Sequence, residues 1–252
     1  SEEMKIKTRN ENVVFGIPDV ITSNTASKDL LLKDELSIIT ENGECFIDEK
    51  VKSLGGDCKY ISKEELDIQW KAKLYIHNTT HCIAAYFGNV ISVKYLHNSM
   101  ESHIIRKIVE EAMIEVKSML EIKYDIDKDF LNYYANKELQ RFSNKLLCDP
   151  ISRVAREPFR KLEKNERLIG AASLCLSVGI LPKSLVKGIM AAFCFDKEDD
   201  NDFHIKYLIN SLNKEDFLKI IIGLRENEAL FQIIVQNWSK NISLINELKN
   251  DI

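Results

Sequence analysis

Glycine and proline are scarce: 9 and 4 of 252 residues. No two glycines stand two apart, so no G-x-G-x-x-G loop can follow a strand anywhere in the sequence. Strand–helix–strand alternation is missing too, which excludes a doubly wound dinucleotide-binding fold from this stretch. No apolar run approaches the roughly 20 residues needed to span a bilayer, and the polar opening Ser1-Glu-Glu-Met-Lys5 has no signal-peptide pattern. The six cysteines are scattered, with no C-x-x-C, so free thiols in a reducing cytoplasm are expected rather than disulfides or zinc. A formal charge of −4 gives no general attraction to nucleic acid or to an acidic membrane.

What is present is enough for a sizeable core. The chain is 45% hydrophobic and can fill one or two domains. Residues 13–24 read as a short strand running into a loop. Asn42-Gly43, flanked by Leu36-Ser-Ile-Ile-Thr40 and Glu44-Cys-Phe-Ile-Asp48, is a hairpin signal. From Ser62 the pattern turns helical and stays so. Ser62 with Glu65 forms a capping-box pair. Ile104, Ile105, Ile108, Ala112, Val116, Met119 and Leu120 fall at helical spacing. Asp149-Pro150 reads as an N-cap with proline at the first helical position, and Pro158 interrupts that helix after about two turns. A helix over 165–178 is stopped by Gly179, and Pro182 starts the next. Trp70 and Trp238 are expected in the core, and the acidic run from Asp196 to Asp202 is expected to open a solvated helix.

One helical stretch carries chemistry. Lys73, Asn78 and His81 place an amine, a carboxamide and an imidazole at offsets of five and three. At about 100° per residue they share one face. A desolvated lysine can exchange protons near neutrality, an amide can hold a developing alkoxide, and imidazole can orient the proton. On spacing alone, a satisfied core histidine beside a solvated lysine is the better reading. His77 and His81 are four apart, but no third ligand stands at a supporting offset, so no metal is expected. Arg153, Arg156, Arg160 and Lys161 form a basic cluster that spacing alone would leave as a solvated helix end.

Three ordered blocks decide between these readings. Lys73-x4-Asn78-x2-His81 continues to Ala85-Tyr86-x-Gly88. Arg141-Phe-Ser-Asn144 leads through Asp149-Pro-Ile-Ser-Arg153-Val-Ala-Arg156-Glu-Pro158-Phe-Arg160-Lys161 to Glu166-Arg167-Leu168-Ile169. Gly188-Ile-Met-Ala-Ala192 leads to Glu198-Asp-Asp200. From about Val14 onward the chain resembles the polyol-specific long-chain dehydrogenases of the mannitol dehydrogenase family. Thr80 departs from the phosphate-specific members, which commonly show Asn-Thr-Gly-His.

The resemblance implies a mainly α, multi-helix C-terminal substrate-binding domain over 61–252. Ahead of it, residues 1–60 would supply a strand and a small N-terminal β-hairpin or sheet, joining a nucleotide-binding Rossmann domain absent from this sequence. It implies Lys73 as general acid/base, with Asn78 and His81 on the same substrate oxygen. Arg153 and Lys161 would grip distal hydroxyls. Arg156 and Arg160 match the arginines of phosphate-specific members, which implies a hexitol or ketose phosphate as ligand. Asp19 matches an acidic residue near the substrate, although Val20 replaces the arginine that usually follows it. NAD would be held almost wholly by the nucleotide-binding domain, no metal would be needed, and the chain alone would be nearly inactive. Two alternatives stay open: a stand-alone polyol-phosphate-binding or helical interaction module, and a uronate reductase or free-polyol dehydrogenase of the same superfamily.

Overall fold

Ser62 opens the first long helix as the sequence indicates. Its hydroxyl accepts from Glu65 N–H at 3.1 Å, and the Glu65 carboxylate accepts from Ser62 N–H at 3.0 Å. Two of the four orphan donors at the helix start are thereby satisfied. The computed structural model describes residues 16–19, 22–23, 28–33, 39–40, 43–51, 58–195 and 205–250. The acidic run from Asp196 to Asp202 lies outside them. The chain divides into two compact units, Ser1–Lys73 and Leu74–Ile252.

In the first unit, strands β1 (Gly16–Asp19), β4 (Glu44–Asp48) and β5 (Lys59–Ile61) form one sheet in the order β1-β4-β5. A separate two-residue pair joins β2 (Thr22–Ser23) to β3 (Ile39–Thr40). This corrects the hairpin expected around Asn42-Gly43. The strands on either side of it pair elsewhere: β4 lies antiparallel to β1, with Ile17 opposite Phe46, and parallel to β5. Long-range pairing of Ile17 and Phe46 buries both, together with Leu66 from helix α1 (Lys63–Ala72). Burying each such side chain is worth about 1.5–3 kcal/mol, more than a two-residue turn preference supplies. Trp70, on α1, is 51% exposed, against the core position expected for it.

The second unit is helical. A π-helical turn, Lys73–Asn78, begins at the last residue of the first unit and runs directly into α2 (Thr79–Val90). Every residue of α2 but Asn89 is buried, so it has no solvent face. Such a helix must be wrapped on all sides. α3 (Leu96–Glu101), α4 (His103–Tyr124), α6 (Ile151–Val154) and α9 (Lys183–Phe193) pack against it. α5 (Lys128–Phe142) packs on α4, α7 spans Pro158–Lys161, α8 spans Ile169–Ser177, and the long α10 (Ala229–Asn250) closes the unit. Ser102 and Asp127 cap α4 and α5. Gly179, at φ +80°, ends the helix before it in the left-handed conformation that glycine adopts without cost. Trp238 packs on Phe193 and Phe217 at the margin of the core and is itself only half-buried.

Candidate active site

Burial of α2 puts a premium on partners for its polar side chains: the Tyr86 hydroxyl has none among the described residues, but Thr79, Thr80 and His81 do. Thr79 Oγ1 donates to Arg167 O at 2.8 Å. Thr80 Oγ1 donates to Ile76 O at 2.5 Å, so the side chain that departs from the Asn-Thr-Gly-His pattern is satisfied within its own helix. Two histidines one turn apart reach across to carboxylates. His77 Nδ1 lies 2.5 Å from Glu138 Oε2, and His81 Nε2 lies 2.9 Å from Asp149 Oδ2. Their rings stand 4.9 Å apart, and Phe142 stacks on His81 at 5.0 Å with 16° between the planes.

Each carboxylate is also tied to an arginine. Arg141 Nη1 donates to Glu138 Oε1 at 2.7 Å. Arg153 donates to Asp149 Oδ1 from Nε at 3.0 Å and from Nη2 at 2.5 Å. With His81 neutral, the His81–Asp149–Arg153 chain carries no net charge, which is what a buried site tolerates. Burial holds His81 below the ordinary histidine range, against the opposing pull of Asp149. Burial would raise the Asp149 carboxyl, but the His81 N–H and the Arg153 guanidinium outweigh it and keep the group ionised. An ionised carboxylate only accepts, so Nε2 carries the His81 proton and Nδ1 the lone pair.

His81 and Arg153, from two different sequence blocks, therefore meet at one carboxylate. Asp149 reads in the sequence as a helix cap, and the structure corrects that reading: Pro150 occupies the cap position, and Asp149 faces His81, 68 residues away. No local pattern signals such a pair. Glu138 and Phe142 carry no sequence signal either, being ordinary members of an amphipathic helix.

Of the other candidates, Lys73 begins the π-helical turn, and its Nζ donates to Pro18 O. In that turn the backbone closes i→i+5 bonds instead of i→i+4, so a uniform 100° step does not hold between Lys73 and Asn78. Asn78 is partly exposed and spends no side-chain hydrogen bond on capping α2. Asp19 closes strand β1 opposite Glu44. Lys161 is almost wholly buried, donating to Val154 O at 2.7 Å and to Arg156 O, with its ammonium over the Tyr86 ring. Burial, with Arg167 and Arg160 nearby, lowers its pKa to about 8. Arg160 is exposed and forked on Glu157 at 3.0 and 2.8 Å, while Arg156 is exposed beside it.

Residues 67–240 match the family described as the mannitol dehydrogenase C-terminal domain. The chain is 37% identical over 193 residues to mannitol-1-phosphate 5-dehydrogenase of Thermoanaerobacter pseudethanolicus, covering 75% of this chain and 50% of that enzyme. It is 29% identical over 225 residues to the enzyme of the same name from Clostridium acetobutylicum, covering 89% and 57%. The chain thus spans about half the length of the relatives it matches. Among solved structures, Pseudomonas fluorescens mannitol 2-dehydrogenase, in a ternary complex with NAD and D-mannitol, superposes with a TM-score of 0.64 at 14% identity. That match covers 94% of this chain and 54% of the other. A substrate-free D-sorbitol dehydrogenase gives a TM-score of 0.62, also at 14% identity, over 98% and 53%. Sequence blocks, fold and profile agree: the chain belongs to the mannitol dehydrogenase C-terminal domain family.

Proposed function

We propose that this chain is the substrate-binding and catalytic part of an NAD-dependent mannitol-1-phosphate 5-dehydrogenase, interconverting mannitol 1-phosphate and fructose 6-phosphate in the cytoplasm. The observation that carries the reading is the shared carboxylate. Asp149 fastens the imidazole of the Lys-x4-Asn-x2-His block to the first arginine of the basic block.

In oxidation, Lys73 as the amine takes the hydroxyl proton of the carbinol, and in reduction it returns it. Asn78 donates its amide N–H to the same oxygen as charge builds there. Before the transfer His81 accepts the hydroxyl's hydrogen bond at Nδ1 and orients it, and Lys73 then takes that proton. Arg153 and Lys161 serve the distal hydroxyls, Asp19 approaches the same substrate, and Arg156 and Arg160 receive the phosphate, for which a guanidinium fork is suited. NAD, when bound, would supply the acceptor for the hydride leaving the carbinol carbon. Because the chain spans about half the length of its mannitol-1-phosphate 5-dehydrogenase relatives, the nucleotide is assigned to a separate nucleotide-binding domain, and this chain alone to little or no activity.

Calorimetric titration of the full-length enzyme tests the reading. With NADH present, no alcohol turns over, and mannitol 1-phosphate, mannitol and a hexonate are compared. Tightest binding of the phosphate, weakened in Arg156→Ala, is expected. Equal affinity for mannitol and its phosphate removes the phosphate assignment, and preference for the hexonate points to a uronate reductase.

A further inference from the structure

Asp149 is the residue on which two separately recruited groups converge, and nothing in the Lys-x4-Asn-x2-His chemistry gives it a task. Its main chain is clamped on both sides. Asp149 O accepts from Leu96 N–H at 2.9 Å, Ile151 N–H donates to Lys94 O at 3.0 Å, and Pro150 forms an antiparallel bridge with Tyr95. The residue before it, Cys148, is held at φ +45°. Such a conformation costs a non-glycine residue about 1 kcal/mol or more and persists only where the surroundings impose it. A carboxylate aimed this firmly is a constraint on whatever it touches.

It touches His81 and Arg153 and is 3% exposed. Phe142 fixes the plane of the His81 ring by stacking, but a 180° flip about Cβ–Cγ keeps that plane and exchanges Nε2 with Cε1. The bond from Nε2 removes that freedom. It also fixes the tautomer, since the acceptor-only carboxylate requires Nε2–H and leaves Nδ1 a lone-pair acceptor suited to a hydroxyl proton. The same carboxylate takes Nε and Nη2 of Arg153, which sets the orientation of the guanidinium and leaves its Nη1 edge uncommitted to Asp149.

We propose that Asp149 is a positioning residue for the dehydrogenase reaction. Through one carboxylate it locks His81 as the Nε2–H tautomer and aims Arg153, so that substrate hydroxyls meet an acceptor and a donor set in advance. The proposal rests on the dehydrogenase reading of the site and deepens it. Asp149→Asn is the informative change: its amide can present N–H to Nε2 and turn the histidine to the Nδ1–H form. In a hydrolytic triad the corresponding exchange works through the same tautomer error.

The test uses the full-length enzyme with 15N-labelled histidine, the His81 signals being assigned against His81→Gln. Long-range 1H–15N spectra of the wild type at pH 7 are expected to show a neutral ring protonated at Nε2. A ring protonated at Nδ1, or an imidazolium, overturns the proposal without any variant having to fold. In Asp149→Asn the tautomer is expected to change and kcat/KM for hexitol phosphate oxidation to fall at least about tenfold. Asp149→Glu, which keeps the carboxylate, is expected to recover part of that loss and the Nε2–H form. Activity within threefold of wild type in Asp149→Asn, or lost activity with the tautomer unchanged, overturns it. If the wild type oxidises neither hexitol nor hexitol phosphate, the dehydrogenase reading fails, while the spectra still decide whether Asp149 sets the ring.

Discussion

Glu138 and His77 form a buried contact within the second unit: Oε2 lies 2.5 Å from Nδ1, and the carboxylate is wholly buried. Its other oxygen takes Arg141. This chain of contacts lies behind His81, whose ring stands against His77, and together with Phe142 it forms the wall on which the proposed active imidazole rests. Taking away the shared acceptor removes the carboxylate from a buried guanidinium. Glu138→Ala is therefore expected to destabilise the protein by about 3–5 kcal/mol. Denaturant unfolding of the variant checks the figure, and a loss below about 1 kcal/mol would contradict it.

Lys161 gives a pH signature. Burial lowers its pKa from 10.5 to about 8. Between those values the unfolded chain holds a proton that the folded chain has released, so stability rises with pH across this window. Above 10.5 the contribution is complete, and below 8 it is lost, because both states are then protonated. One proton accounts for at most about 1.4 kcal/mol per pH unit. Cys82 and Cys175, pushed up to about 11 and about 12 by burial, also titrate at high pH. The quantity to measure is thus the difference in unfolding free energy between wild type and Lys161→Met at pH 7, 8.5 and 10. It should move in favour of the wild type as pH rises, and a flat difference would remove the buried ammonium.

Gly188 illustrates close approach. A Cβ built there would overlap Cγ1 of Ile83, at the contact between α9 and α2. Alanine is preferred over glycine in helices by about 1 kcal/mol. Even so, Gly188→Ala is expected to destabilise by about 1–3 kcal/mol, because Ile83 is wholly buried and has no space into which to move. A thermal midpoint equal to or above that of the wild type would show the contact to be loose.

The same contrast between local and long-range causes separates what can be read in the sequence from what cannot. The capping box at Ser62 and Glu65, the stop at Gly179 and, except for the exposed Ile104, the buried stripe of α4 depend on neighbours along the chain, and all are legible. Asn42-Gly43 misleads because Ile17 and Phe46 gain more by pairing with each other than a turn preference offers. Asp149 misleads for a related reason: an Asp-Pro step is a cap only when nothing better faces the carboxylate, and His81 does. The π-helical turn at Lys73–Asn78 has no sequence mark at all. The candidate site is legible as a set of blocks in order, while the carboxylates that tie the blocks together are not.

In the proposed reaction Lys73 moves the carbinol proton. The decisive measurement is the single-turnover rate of hydride transfer in the full-length enzyme carrying Lys73→Ala, saturated with mannitol 1-phosphate and NAD. Positioned proton transfer is typically worth 10²–10⁴-fold, so the rate should fall by about that factor while binding of the phosphate persists. A rate within a few-fold of wild type would contradict the account.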